Sequence, residues 1–294
     1  MQILPFDNRD GFIWLNGKFV KWRDANIHVL NHGLHYASCV FEGLRIYDGK
    51  IFKLNEHIER LFNSAKILDL DIPFSYQDVI DITKEIIVKQ NVSNGYIRPV
   101  VWRGSEMMAI SAKKGSTNLA IAAWEWPSYF SPEKLLEGIK LNVSKWLRPS
   151  PESAPTDSKA AGLYMICSLS KHEAEKLGFD DALMLDYRGY VAEATGANIF
   201  FVKDNELFTP IADCFLNGIT RQTVIELAKS KNIKVHERKI KPDELSSFEG
   251  CFLTGTAAEI TPISQIAENN YKVCDVILDL LDSYGKLVRK KKAA

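Results

Sequence analysis

Two stretches of the chain carry residue types that amine–carbonyl chemistry requires: Ser158-Lys159-Ala160-Ala161-Gly162-Leu163-Tyr164 and Tyr190-Val191-Ala192-Glu193-Ala194-Thr195-Gly196-Ala197-Asn198. A lysine amine forms a Schiff base with an aldehyde. A carboxylate keeps a pyridine nitrogen protonated, so that the ring accepts electrons, and a phenol hydrogen-bonds the ring oxygen beside the aldehyde. Lys159, Glu193 and Tyr164 are therefore compatible with a pyridoxal phosphate cage, whose chemistry moves amino groups. Spacing alone does not single out Lys159 among 37 lysines and arginines, most of which belong in solvent.

Other segments could hold anions. Leu216-Asn217-Gly218-Ile219-Thr220-Arg221 reads as a loop entering a helix. A helix N-terminus presents free amides and the positive end of a dipole to phosphate, and Thr220 could cap the helix and donate its hydroxyl. An ordinary capped helix accounts for the same residues. Thr254-Gly255-Thr256-Ala257-Ala258-Glu259 follows an apolar run. Its small residues let backbone amides approach an anion, although a plain strand-to-loop turn has the same composition. Arg60, four residues after Glu56, suits either a solvent-facing ion pair or a phosphate. Tyr96 and Arg98 share one face of a strand and could bind a carboxylate or lie on an exposed sheet edge. His28, His32, His35 and Cys39 have no metal-ligand spacing, and no metal is expected. His172-Glu173 is not part of an HExxH motif, because position 176 is lysine.

The elements that must position these groups alternate along the chain. Ile13–Leu15 and Phe19–Val20, joined by Asn16-Gly17, read as a hairpin, and so do Arg45–Tyr47 and Ile51–Phe52 around Asp48-Gly49. Asn55 is the expected cap of a helix with Ile58, Leu61, Phe62, Ala65 and Leu68 on one face, and Ser75 of another with Val79, Ile82 and Ile86. Strands are expected over 96–102, 119–124, 139–147, 182–185, 190–192, 199–202, 207–208, 233–240 and 251–253. Helices are expected over 164–177, stopped by Gly178, and over 220–231 and 273–291. Many short strands with few helices indicate α+β rather than a doubly wound parallel sheet. The prolines of Glu125-Trp126-Pro127-Ser128-Tyr129-Phe130-Ser131-Pro132 interrupt the pattern. The expected organisation is a smaller α+β domain over 1–125, an interdomain loop over 126–137 and a larger domain over 138–294.

Composition narrows the function. The chain of 294 residues is 46% hydrophobic, with 37 basic and 37 acidic residues. This is ordinary globular usage without the basic excess of a nucleic-acid binder. Five scattered cysteines without a CxxC pair suit reduced thiols in a cytoplasmic protein. Neither a secretory signal nor a membrane span is expected.

Val40-Phe41-Glu42-Gly43-Leu44-Arg45, His57-Ile58-Glu59-Arg60-Leu61, Tyr96-Ile97-Arg98-Pro99, Lys159 to Tyr164, Glu193 to Asn198, Gly218-Ile219-Thr220-Arg221 and Gly255 to Pro262 follow one another along nearly the whole chain. Together they resemble the branched-chain amino acid aminotransferases of the class IV pyridoxal-phosphate family. The resemblance implies a two-domain, D-amino acid aminotransferase-like α+β fold whose larger domain binds pyridoxal 5'-phosphate. It also implies transamination between leucine, isoleucine or valine and 2-oxoglutarate.

Lys159 would bind the cofactor aldehyde and serve as the catalytic base. Glu193 would meet the pyridine nitrogen and Tyr164 the ring oxygen, while Arg60, the amides of Ile219 and Thr220, and Thr256 would hold the phosphate. Phe41, Gly43, Tyr96, Trp126 and Tyr129 would surround the substrate side chain, with Tyr36 reaching in from a neighbouring subunit of a homodimer or larger homo-oligomer. The Thr256-Ala257 turn would bind the α-carboxylate and Arg98 the second carboxylate of glutamate. The aromatic linker would close over the pocket. Leu163 stands where such proteins often have asparagine. D-amino acid transaminases and aminodeoxychorismate lyases share the same cofactor cage and are the alternative activity.

Overall fold

Largely buried strands build two sheets in a computed structural model that describes residues 5–126 and 136–289. The chain divides into two compact units: Met1–Pro127 with Ser158–Gly162, and Ser128–Asp157 with Leu163–Ala294. The Lys159 segment, expected from the sequence in the larger domain, thus groups with the first unit. Tyr129 and most of the 126–137 segment lie outside the described residues.

The first unit holds a seven-stranded sheet. Its strands are β1 (Phe12–Leu15), β2 (Lys18–Lys21), β3 (Cys39–Phe41), β4 (Leu44–Tyr47), β5 (Lys50–Ile51), β6 (Gly95–Arg103) and β7 (Thr117–Glu125). The order is β2-β1-β7-β6-β4-β5, with β3 also paired to β6 and every pairing antiparallel. Both expected hairpins form. Asn16 and Gly17 have φ of 46° and 94°, and Asp48 and Gly49 of 47° and 75°, the left-handed pair that a tight hairpin with right-twisted strands requires.

Three helices accompany the sheet: α1 (His32–Tyr36), α2 (Leu54–Ile67) and α3 (Tyr76–Lys89). Ser75 caps α3 as expected, accepting from the Asp78 amide while the Asp78 side chain accepts from the Ser75 amide. Asn55 does not cap α2; the cap position is Lys53, in the left-handed region, with no side-chain capping bond. The apolar faces of α2 and α3 (Ile58, Leu61, Ala65, Val79, Ile86) pack with Val40, Leu44, Ile97 and Ile121 into one core.

β6 is internal, so Tyr96 and Arg98 do not lie on a sheet edge. Its Pro99 lacks a ladder donor, which ordinarily excludes proline from inner strands. The partners explain the exception. β3 pairs with residues from Val100 onward and β4 with residues up to Ile97, so Pro99 faces the break between them at Glu42-Gly43.

The second unit holds a nine-stranded mixed sheet. Its strands are β8 (Ile139–Val143), β9 (Asp181–Leu185), β10 (Val191–Ala194), β11 (Asn198–Lys203), β12 (Glu206–Thr209), β13 (Val235–Glu237), β14 (Gly250–Gly255), β15 (Glu259–Ile266) and β16 (Asn269–Asn270). The order is β10-β9-β8-β15-β14-β11-β12-β13, with β16 on β15; β8 runs parallel to β9 and β15. β8 ends at Val143 rather than at the expected Leu147. The helices are α4 (Tyr164–Lys176), α5 (Ile219–Ser230) and α6 (Asp275–Val288). Gly178, at φ 82°, follows α4 as the expected stop. Ile139, Leu141, Leu183, Ile199, Phe201, Leu253 and Ile263 form the core.

Candidate active site

In the first unit, backbone bonds fix the Lys159 segment before its side chain matters. The Lys159 amide donates to Ser64 Oγ on α2 at 3.0 Å. Its carbonyl accepts from the Phe41 amide at 3.2 Å, and Ala160 bridges Val40. The half-buried Lys159 is thereby strapped to β3 and α2, with Nζ 5.0 Å from the Phe41 ring centre.

Arg60 lies one turn before Ser64 on the same helix and does not pair with Glu56, which binds Lys53 instead. Its Nε donates to Glu42 Oε1 at 2.6 Å and its Nη2 to Glu42 Oε2 at 2.9 Å. Glu42 is fully buried and also accepts from His57 Nδ1 at 2.7 Å. Burial opposes ionisation of Glu42, but Arg60 and His57 outweigh it and hold the carboxyl well below the usual carboxylate range. Burial lowers the pKa of His57, against the opposing pull of Glu42.

Gly43 touches Tyr96 closely: a Cβ there would lie 1.8 Å from Tyr96 Oη. Arg98 Nη2 donates to the same hydroxyl at 3.4 Å, and the guanidinium carbon stands 4.6 Å from the Phe41 ring centre. Arg98 Nε is buried with no hydrogen-bond partner. The Trp126 ring centre is 5.1 Å from that of Tyr96. Phe41, Gly43, Tyr96, Arg98, Trp126 and Lys159 are thus linked through direct neighbours. Tyr36 ends α1, 42% exposed, with its ring against His32. Cys39, on β3, is a thiol: burial, only partly offset by Arg98, pushes it up to about 11.

In the second unit, Tyr164 opens α4 and Glu193 lies on β10. Glu193 Oε1 is 3.4 Å from Arg148 Nε, and Oε2 accepts from Asn198 Nδ2 at 3.0 Å. Asn198 also donates to the Leu216 carbonyl at 3.0 Å and accepts from the Gly218 amide at 3.1 Å. One side chain therefore ties Glu193 to the start of α5. Gly218 is the cap residue there, rather than Thr220, which is buried within the first turn. Any Cβ at position 218 would stand 2.2 Å from Asn198 Oδ1. Ile219 and Thr220 follow as the first helical residues, whose amides have no partner further back in the helix. Thr256 and Ala257 occupy the turn between β14 and β15. Ala257 and Tyr164 line one cavity of about 310 Å³ together with Cys167, Lys171, Asp181 and Thr195.

Glu42, His57, Arg148 and Asn198 had no role in the sequence reading. Glu42 had a signal, a lone carboxylate in the otherwise apolar run Val40-Phe41-Glu42-Gly43-Leu44. Arg148, in Leu147-Arg148-Pro149, had none.

The amino-transferase class IV family matches residues 39–266. The probable branched-chain-amino-acid aminotransferase of Rickettsia felis is 47% identical over 99% of this chain and 100% of its own. The T.th. branched-chain amino acid aminotransferase, solved with pyridoxamine 5'-phosphate, superposes with a TM-score of 0.93 at 36% identity, covering 97% of this chain and 96% of that one. The same protein complexed with N-(5'-phosphopyridoxyl)-L-glutamate gives a TM-score of 0.91 at 36% identity, with the same shares covered. The chain belongs to the class IV aminotransferases, in the group whose members carry the name branched-chain-amino-acid aminotransferase. The α+β fold expected from the sequence is the fold of that family.

Proposed function

We propose that the protein is a pyridoxal-phosphate-dependent transaminase that exchanges amino groups between branched-chain L-amino acids (leucine, isoleucine and valine) and 2-oxoglutarate. The observation that carries this reading is the strapping of Lys159 to β3 and to α2, one helical turn from Arg60, in a chain similar along its whole length to a branched-chain relative.

The residues fit the cofactor. Arg60 and the opening amides of α5 (Ile219, Thr220) suit its phosphate, aided by Thr256. Thr254 Oγ1 is buried without a partner beside that turn. Glu193, oriented by Asn198 with Arg148 alongside, offers a carboxylate to a pyridinium. Tyr164 offers a phenol to the ring oxygen.

When bound, pyridoxal phosphate supplies a protonated ring that spreads the negative charge left on the substrate α-carbon. The chain's own residues do the rest. The Lys159 amine removes the α-proton and returns it one position away. Glu193 keeps the proton on the ring nitrogen. The amides of the Thr256-Ala257 turn orient the α-carboxylate. Phe41, Tyr96, Trp126 and Tyr129 would exclude water around an apolar side chain, with Gly43 leaving room for the Tyr96 hydroxyl. Arg98, already stacked on Phe41, meets the distal carboxylate when glutamate replaces leucine.

The same reading makes the enzyme a cytoplasmic homodimer or larger homo-oligomer to which Tyr36 contributes across subunits. In support, Val29 (68%), Leu34 (65%) and Tyr36 (42%) expose apolar surface around α1. The five cysteines are free, and no helix among the described residues is long and apolar enough to cross a membrane.

The deciding experiment follows the visible spectrum of the cofactor-loaded protein. L-leucine, L-isoleucine and L-valine should each discharge it, and 2-oxoglutarate should restore it. Conversion by D-alanine but not L-leucine would mark a D-amino acid transaminase, and no conversion by any amino acid would remove the reading.

A further inference from the structure

We propose that Glu42 is a positioning residue for Arg60, and that it thereby sets the preference for a phosphorylated over an unphosphorylated cofactor. The inference rests on reading Arg60 as a phosphate ligand.

An arginine side chain carries rotamer freedom that must be lost before it can serve a fixed anion. Glu42 removes that freedom here. It takes the Nε–Nη2 edge of the guanidinium in a two-point contact, 2.6 and 2.9 Å, which fixes the plane of the whole fork and so the direction of its remaining N–H groups. Glu42 is itself immobile. It lies at the break between β3 and β4, is fully buried, and its Oε2 accepts from the Gly43 amide at 3.2 Å and from His57 Nδ1 at 2.7 Å. His57 and Arg60 sit three residues apart on α2 and reach the same carboxylate. The carboxylate stays ionised despite burial.

A buried carboxylate is costly unless its partners are in place, so the arrangement has one favoured geometry. The Arg60 side chain keeps 18% exposure while that of Glu42 has none. The carboxylate is therefore hidden behind the guanidinium. Ser64, farther along the helix, holds the Lys159 backbone separately. The anion-holding and amine-holding functions of α2 therefore have separate anchors and should separate on mutation.

The test compares pyridoxal phosphate with pyridoxal. Dissociation constants of both are measured by visible absorbance on the apo forms of wild type and Glu42→Gln, with circular dichroism as the control for folding. We expect Glu42→Gln to weaken pyridoxal phosphate binding about tenfold or more, as removal of a partner behind a ligand typically does, and to leave pyridoxal binding unchanged. If Glu42→Gln fails to fold, Glu42→Asp, which keeps the charge but withdraws it from Arg60, is read by the same ratio. In an Arg60→Gln background, Glu42→Gln should add no further phosphate-specific loss. Equal weakening of both compounds would make Glu42 merely structural and overturn the inference. So would a variant that keeps the wild-type preference for the phosphate. A wild type that binds neither compound would instead overturn the cofactor reading, and this inference with it.

Discussion

At the scale of single residues, the reactive amine is separable from the fold. Lys159 is held by its own N–H and carbonyl, to Ser64 and Phe41, and truncating its side chain leaves both bonds. Lys159→Ala should therefore leave the apo protein folded while abolishing turnover. Borohydride reduction of the loaded wild type, followed by peptide mapping, should label Lys159, whereas the variant should take no label. Substantial transamination by Lys159→Ala would refute the assignment.

Arg98 has a different signature. Its guanidinium stacks on Phe41 and Tyr96, and its Nε has no partner, so the group is desolvated with donor capacity unused. A charge-assisted hydrogen bond contributes about 1.5–3 kcal/mol, and Arg98→Ala should cost the glutamate half-reaction about tenfold to a hundredfold in kcat/KM. The leucine half-reaction should lose much less. Single-turnover rates with each amino acid measure the split, and equal losses would give Arg98 another task.

At the scale of elements, the β3–β4 break is where strand geometry sets the pocket. Glu42-Gly43 faces Arg98-Pro99 between the β3 and β4 registers, where the Glu42 amide donates to the Pro99 carbonyl at 2.9 Å, and the missing Cβ of Gly43 is the space that Tyr96 Oη occupies. Gly43→Ala should force the buried Tyr96 ring aside at a cost of about 1–3 kcal/mol, the usual range for overpacking. Tyr96→Phe in the same chain should restore part of that loss. A double-mutant cycle by urea unfolding reads the coupling; additive losses would mean that the close approach relaxes freely.

This element also shows what a sequence discloses. The Asn16-Gly17 and Asp48-Gly49 turns, the Ser75 box and Gly178 were legible because each solves a local backbone problem with neighbouring residues. Asn55 and Thr220 were misread as caps. Both have the chemistry of a cap, but one helix begins at a left-handed Lys53 and the other at Gly218, whose amide is taken by Asn198 from another strand. The Glu42–Arg60 pair joins residues 18 apart in the chain, and no spacing rule selects that partner over Glu56. The candidate site residues come from motifs, whereas the contacts that orient them, such as Glu42 on Arg60 and Asn198 on Glu193, are made only in the fold.

At the scale of the whole molecule, charge balance hides an uneven interior. The 37 acidic and 37 basic residues cancel, and most ion pairs are solvent-accessible and of little consequence for stability. The Glu42–His57–Arg60 cluster is not, and its pH dependence should dominate that of the first unit. Burial lowers the pKa of His57 below 6.5. As pH falls through that value, the unfolded chain takes up a proton that the fold refuses, so stability declines. Glu42 titrates in the fold well below its ordinary 4.5, so its contribution is present above that pH and is lost as pH drops beneath it. Both groups therefore act with the same sign: stability rises with pH from acid to neutrality, by at most about 1.4 kcal/mol per pH unit for each group while it titrates. His57→Gln removes the upper part of this dependence, and a glutamine amide can still donate to Glu42. Its unfolding free energy should fall less steeply than that of wild type as pH drops below 6.5. Urea unfolding followed by tryptophan fluorescence suits the measurement, because Trp14, Trp22, Trp102, Trp124 and Trp126 all belong to the first unit. Parallel curves over the upper range would show that His57 is not the group that titrates, and the acid sensitivity would then have to originate outside this cluster.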